Sequence, residues 1–260
     1  MINYKRTQIF PGITLIQEDD TCIYLVEGKN QAVVIDTGYG LNNLGEEIKK
    51  ITGKPPLVFI THGHLDHAFG AHYFDRVYMS REDVPVYELH KEIRVLRKEI
   101  IGNSFGASEE DLDRWVGAVP EKIEFTSEGD SYDTGDNTFE VVSLKGHTPG
   151  SIGFIDIKNR ILFSGDGVIN HVWLQLPESS SVADYIKTLD SLNTHRSKFD
   201  FILAGHRGTR IPVSFLDKLR GTLTDLINGA WGKPYVNPVA SGMIYKRKGC
   251  EVIYNPERIK

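Results

Sequence analysis

Thr61-His62-Gly63-His64-Leu65-Asp66-His67 follows directly on the apolar run Leu57-Val58-Phe59-Ile60. Three imidazoles and a carboxylate packed this closely are the donor types that a borderline-soft divalent metal takes. The apolar run reads as a strand buried on both faces, so the cluster begins where a strand end fixes the backbone. Gly63 is expected to let the loop turn tightly between two imidazoles. The competing reading, a solvated polar loop, is weak, because adjacent imidazoles without a counter-charge repel on protonation.

The same arrangement recurs along the chain. Gly146-His147-Thr148-Pro149-Gly150 comes just past a strand ending at Leu144, and Phe163-Ser164-Gly165-Asp166 puts a carboxylate at the end of the next apolar strand. Ala204-Gly205-His206-Arg207-Gly208 repeats the pattern after Phe201-Ile202-Leu203-Ala204. A lone His or Asp at a strand end is more often structural. Several strand ends of this kind converging on one edge make a site, as open sheets commonly do.

Around these motifs the chain has the make-up of a globular protein. It has 260 residues, 40% hydrophobic and 25% charged, with a net charge of −5 and no long block of one sign. That balance argues against a protein that coats nucleic acid. No apolar run is long enough for a membrane helix, and the N-terminal segment lacks the apolar stretch of a signal peptide. Cys22 and Cys250 read as two buried thiols in a reducing cytoplasm, which is the expected location.

Short β-branched strands are expected at Ile13–Ile16, Cys22–Val26 and Ala32–Ile35, with Gly28-Lys29-Asn30 turning between the last two. A helix is expected from about Leu41 to Ile51. Further strands are expected at Phe139–Leu144, Ile152–Ile157, Ile161–Ser164 and Phe201–Ala204. Helices are expected at Ser181–Asn193 and Val213–Ile227, with a final hairpin around Lys248-Gly249. Val86, Leu89, Ile93, Leu96 and Ile100 form one apolar helical stripe, most simply packed on the core. Arg94, Arg97 and Lys98 would be its solvated face, Gly102 its end, and Ser108 with Asp111 the cap of a second helix. The pattern predicts an α+β chain of sheets covered by helices, one domain over 1–260, with a helical insertion near 81–118. If that insertion is functional, it is a lid or a dimer helix hinged at Gly102 and Gly106.

The order His-x-His-x-Asp-His, Gly-His-Thr-Pro-Gly, Ser-Gly-Asp and Gly-His resembles the metallo-β-lactamase-fold hydrolase superfamily, with a glyoxalase-II- or lactonase-like ligand set. Asp36 in Val34-Ile35-Asp36-Thr37-Gly38 resembles its first motif, so the likeness runs from about Cys22 to His206. The resemblance implies a four-layer αββα sandwich with two divalent metal ions at one edge of the paired sheets. His62, His64 and His147 would hold the first ion and Asp66, His67 and His206 the second, with Asp166 bridging and Asp36 behind the ligands. Neither cysteine falls at a ligand position, so a lactamase with a thiolate ligand is not expected. Zinc is the default ion, and nitrogen and oxygen donors also suit iron or manganese.

The resemblance further implies a metal-dependent hydrolase. A metal-bridging hydroxide would cleave a small-molecule ester, thioester, lactone or amide, with Asp66 orienting it or taking its proton. The substrate is expected to be small and anionic or carbonyl-bearing, with a homodimer as the partner arrangement to consider. A glyoxalase-II-like enzyme is expected to carry a longer helical tail than the residues after His206 supply. A phosphodiesterase or nuclease on the same binuclear site, a mono-iron sulfur dioxygenase and a non-catalytic binding protein are the alternatives. Tyr39, Phe69, His171 and Trp173 are the candidate pocket residues. His72, His90 and His195 read as structural or polar-face histidines, and Lys246-Arg247-Lys248 as a solvated hairpin.

Overall fold

The first third builds an antiparallel meander of β1 (Lys5–Phe10), β2 (Ile13–Glu18), β3 (Thr21–Glu27) and β4 (Ala32–Ile35), exposed at β1 and buried through β3 and β4. This computed structural model describes residues 4–260; Met1–Asn3, the start of the segment read for a leader, lie outside it. The chain continues through α1 (Leu44–Lys49), β5 (Pro56–Phe59), α2 (Leu65–Ala68) and β6 (Val77–Met79). The helical insertion then supplies α3 (Val84–Phe105) and α4 (Glu109–Gly117) before β7 (Ile123–Phe125). Strands β4 to β7 pair in parallel, completing a sheet in the order β1-β2-β3-β4-β5-β6-β7 among the described residues.

The second half begins with β8 (Ser131–Asp133), β9 (Thr138–Ser143), β10 (Ile152–Asp156), β11 (Ile161–Gly165) and β12 (His171–Leu174). It goes on through α5 (Val182–Asn193), β13 (Phe201–Ala204), β14 (Arg210–Pro212) and α6 (Phe215–Ile227). It closes with β15 (Lys233–Val236), β16 (Ser241–Arg247) and β17 (Cys250–Tyr254). The second sheet runs β14-β13-β11-β10-β9-β8, and a small third sheet runs β12-β17-β16-β15.

The two large sheets face each other across an apolar layer in which Phe59 stacks on Phe154 at 4.6 Å and Tyr24 packs on Phe163 at 5.1 Å. Leu44, Ile48, Tyr87 and Trp115 cover the outer face of the first sheet. Tyr185, Leu189, Leu219 and Leu223 cover that of the second. The result is the αββα sandwich that the resemblance implied, with the small third sheet appended to it.

Several local expectations need correction. Helix α1 is shorter than the expected Leu41–Ile51, because buried Glu18 accepts hydrogen bonds from Tyr39 N (2.7 Å), Gly40 N (3.3 Å) and Asn42 Nδ2 (3.0 Å) and holds that stretch as a loop. Asn43 then caps the helix by accepting from Glu46 N at 3.0 Å. In β5 the first residue, Pro56, is exposed and Leu57 half-buried, so only its site-proximal end is covered on both faces. Helix α3 runs through Gly102 to Phe105 and ends at Gly106, whose φ of 64° suits a left-handed cap. Gly102 is instead where Leu112 of α4 packs, its Cδ1 2.5 Å from where a Cβ would stand. The Ser108–Asp111 capping box forms as expected.

The largest correction concerns which face of α3 is buried. Leu89, Leu96 and Ile100 are 45%, 83% and 70% exposed, whereas Arg94 is 1% exposed. The Arg94 guanidinium donates to Val116 O at 2.7 Å and Ala118 O at 3.0 Å, and lies over the rings of Phe69 and Trp115. It satisfies the open carbonyls at the end of α4, which draws the helix round and turns the apolar stripe outward.

Candidate metal centre

Every donor picked out in the sequence sits just past a strand end, in the turn or short helix that follows it. His62 and His64 leave β5, and Asp66 and His67 lie on α2. His147 comes after β9, Asp166 after β11 and His206 after β13. The first group hangs from one sheet and the other three from its partner, so both sheets deliver donors to a common edge. Backbone hydrogen bonds stitch that edge: Cys22 N–H donates to Gly205 O at 2.7 Å, and Ile152 N–H to Thr61 O at 2.9 Å. Gly205 is required here, since a Cβ would stand 2.5 Å from Asp166 Oδ1 and 2.6 Å from His67 Cε1. Gly63 does not take the left-handed backbone expected of a tight turn. It is needed because the first turn of α3 approaches it, Tyr87 N lying 2.7 Å from its would-be Cβ.

In four of the five imidazoles the outer nitrogen has a hydrogen-bond partner, which assigns the tautomer; the fifth, His206 Nδ1, lies 3.4 Å from Asp20 Oδ1 without a hydrogen bond. His67 Nδ1–H donates to Asp36 Oδ2 at 2.9 Å, His147 Nδ1–H to Trp173 O at 2.9 Å, and His64 Nε2–H to Glu178 Oε1 at 3.0 Å. Thr61 Oγ1 gives its proton to Asp36 Oδ2 at 2.9 Å and so accepts from His62 Nδ1–H at 3.0 Å. Asp36 also accepts from Thr61 N at 2.7 Å, and it reaches all three donors from a left-handed backbone with φ of 62°.

The inner nitrogens of those four therefore carry lone pairs, and they face one another or His206. His64 Nδ1 lies 3.0 Å from His147 Nε2, and His67 Nε2 lies 3.3 Å from His206 Nε2. Asp66 Oδ2 stands 3.5 Å from His67 Nε2 and 3.3 Å from His206 Nε2. Asp166 faces both groups, 3.8 Å from His147 Nε2 and 3.3 Å from His206 Nε2. His62 Nε2 and Asp166 Oδ1 are buried without a hydrogen-bond partner. Facing lone pairs beside unpartnered buried acceptors need a cation between them, and the donor sets His62-His64-His147 and Asp66-His67-His206 each lie within 4.8 Å. The residues fit divalent metal.

Electrostatics divides the two groups. Burial, followed by the neighbouring imidazoles, holds His62 well below the usual histidine range and brings His147 down to about 4. Burial alone would also lower His67, yet Asp66, Asp166 and Asp36 push it up to about 10, and Asp166 raises His206 in the same way. Those two imidazoles in turn hold Asp66 and Asp166 well below the carboxylate range against their burial. One half offers neutral nitrogen donors, and the other is an anionic nest in which a proton and a divalent cation compete.

His64, Asp66, His147, Asp166 and His206 line a cavity of about 620 Å³, while His62 and His67 are buried behind them. Of the expected pocket residues, Tyr39, His171 and Trp173 line it. Phe69 does not: it is buried beneath α3 against Tyr87 and Arg94, because its side chain completes the core of the insertion. His72 donates Nδ1–H to Phe69 O at 2.8 Å and holds that turn. His195 sits in the turn after α5. Lys246 and Arg247 pair with Glu251 and Asp225 on the surface.

Sequence reasoning missed three wall residues. His90, read as lying on a polar helix face, stacks on His64 at 4.4 Å in the cavity. Its Nδ1 accepts from Leu65 N at 3.0 Å, so its Nε2 carries the proton. Glu178 comes from a loop whose carbonyls Pro177 O and Ser179 O accept from Arg258 at 3.0 and 2.6 Å. Arg97 lines the cavity and reaches Pro238 O at 3.5 Å rather than standing free in solvent. Position 90 lies one residue from Leu89 of the stripe, a signal that was available; Glu178 had none.

The family model described as Metallo-beta-lactamase superfamily matches residues 18–206. The chain is 31% identical to acyl-coenzyme A thioesterase MBLAC2 of Homo sapiens over 241 residues, covering 79% of this chain and 82% of that one. It is 29% identical to hydroxyacylglutathione hydrolase GloC of Haemophilus influenzae over 168 residues, covering 61% and 70%. Among solved structures, a metallo-beta-lactamase from Pontibacter korlensis matches with a TM-score of 0.58 at 17% identity, covering 88% of this chain and 100% of that one. The DIM-1 metallo-beta-lactamase matches with a TM-score of 0.61 at 16% identity, covering 85% and 96%. The two structural likenesses speak for the fold.

Proposed function

The chain belongs to the metallo-beta-lactamase superfamily, and from that premise we propose that it is a thioester hydrolase working with two divalent cations, zinc in the first instance. The observation that carries the reading is the convergence of inner lone pairs and unpartnered carboxylate oxygen on the wall of an open cavity. His62, His64 and His147 would hold one ion, and Asp66, His67 and His206 the other, with Asp166 between them. When bound, the ions supply Lewis acidity at the scissile carbonyl and acidify water near neutral pH.

The chain's own residues do the rest. Asp36, Thr61, Trp173 and Glu178 fix the imidazole tautomers, so the donor atoms need no rearrangement. Asp66 faces the cavity and orients the attacking water or takes its proton. Water adds to the acyl carbon, the carbon–sulfur bond breaks, and a carboxylate, a thiol and one proton result. Two relatives named for release of an acyl group, one from coenzyme A and one from glutathione, support a thioester over a lactone or amide. Both cysteines are free and buried, which supports a reducing cytoplasmic setting. In the described residues no helix is long and apolar enough to cross a membrane.

The test is metal analysis of the purified protein together with thiol release from acetyl- and octanoyl-coenzyme A and S-lactoylglutathione. p-Nitrophenyl acetate and bis-p-nitrophenyl phosphate serve as comparators. Two ions per chain and chelator-sensitive thiol release are expected. Faster cleavage of the phosphodiester than of every thioester, or one iron per chain, would overturn the reading.

A further inference from the structure

Helix α3 exposes apolar side chains that its neighbours leave uncovered. At about 100° per residue, Tyr87, Arg94, Gly102 and Phe105 share the core face. Leu89, Ile93, Arg97 and Ile100 fall on a second face roughly a quarter-turn or more away, and all four line the cavity that holds the donor side chains. Leu96, the most exposed of the apolar residues, points beyond the cavity and does not line it. Trp173, Leu176 and Val239 stand on the cavity's other walls. Arg97 crosses to Pro238 O beside Val239, so its alkyl stem extends the apolar surface.

We infer that this face of α3 is the acyl subsite: Leu89, Ile93 and Ile100 receive the hydrocarbon chain of the substrate while its carbonyl lies at the donor cluster. Three features carry the assignment. The apolar face is continuous with the donor cluster inside one cavity, so a molecule with its reactive group there extends along it. From Leu89 to Ile100 the face runs about 16 Å along the helix, room for an extended chain of medium length. Its apolar residues would otherwise meet water, and hydrocarbon is the chemistry that removes this exposure. The inference rests on the thioesterase reading and names the substrate class within it: acyl thioesters with an unbranched tail of medium length.

The experiment measures kcat/KM by thiol release across acetyl-, butyryl-, octanoyl-, dodecanoyl- and palmitoyl-coenzyme A for the wild-type protein, Ile93→Trp, Leu89→Ser and Leu96→Ser. In parallel, binding of non-cleavable S-alkyl-coenzyme A thioethers of the same lengths is measured by calorimetry. Each methylene that reaches the wall should raise kcat/KM and affinity by up to about four-fold in the wild type. Ile93→Trp and Leu89→Ser should each lower the dodecanoyl-to-acetyl ratio by at least about ten-fold, and Leu96→Ser should leave it unchanged. A rising profile that neither variant alters, or a flat wild-type profile with thioester cleavage intact, would overturn the subsite. A drop in solution mass for Leu96→Ser with no length dependence would also overturn it, assigning the face to a second copy of the chain. Length-dependent thioether binding without turnover of any thioester would instead retain the subsite and sink the thioesterase reading.

Discussion

The loop Thr61–His67 and helix α3 lie close together in the chain and both border the cavity, yet they invert the usual rule in opposite directions. In the loop, three imidazoles are buried; in the helix, leucine and isoleucine are exposed while an arginine is buried. Burying the imidazoles is tolerable because each has a fixed outer partner and an inner lone pair suited to a cation. Exposing the stripe follows from Arg94, whose two carbonyl acceptors decide how the helix is turned. The comparison teaches that departures from ordinary burial around this cavity come with named compensations, and that those compensations can be removed one at a time.

The sharpest break comes at the loop's shared partner. Asp166→Ala removes the carboxylate that faces both donor groups, so metal content and turnover should fall by more than the ~10–100-fold that loss of an outer partner costs. Metal analysis and steady-state assay check this, and an active, metal-replete variant would remove the proposed centre. The corresponding break in the helix is Arg94→Ala. It strands Val116 O and Ala118 O and leaves a void beside Phe69 and Trp115, at a cost of roughly 3–4 kcal/mol in denaturant unfolding. Arg94→Lys should recover only part of it, because a single ammonium cannot reproduce the planar fork.

A third test concerns Glu18, which holds the Tyr39–Asn42 loop beside the cavity. Burial raises its pKa from the usual carboxylate range to about 7. The folded state then binds this proton more tightly than the unfolded state, so stability falls as pH rises from about 4.5 through about 7. The loss is on the order of 3 kcal/mol at most. Glu18→Gln should flatten this part of the pH–stability curve, measured by urea unfolding between pH 4.5 and 8. The smallest effect is expected at the edge of the loop network. Asp36→Asn weakens the hold on His67 and Thr61, and should lower metal affinity and kcat by about 10–100-fold while leaving the fold intact. Equal metal affinity in that variant would show that the tautomers are set elsewhere.

Legibility in the sequence followed the range of the interactions. Strands such as Cys22–Val26 and Phe201–Ala204 were readable because residue type and period are local properties, and so was the Ser108–Asp111 cap. The seven donors were readable because their residue types at strand ends are unusual on their own. Phe69 was misplaced in the pocket because an aromatic residue after the histidine cluster looks the same whether it faces a cavity or a core. The short strands β6, β7, β8 and β14 have too few residues to show a period, and β12 is recognisable only through its parallel pairing with β17.

The sequence alone determined the chemistry: which side chains can hold a divalent cation, in what order they occur, and that they follow strand ends. Tertiary structure alone decided the rest. It set which nitrogen of each imidazole faces inward, brought His90, Glu178 and Arg97 to the cavity, and turned the apolar stripe of α3 outward. The physical reason is that periodicity specifies that a helix has two faces, while the choice of which is buried belongs to distant partners. Here those partners are two carbonyl oxygens at the end of α4.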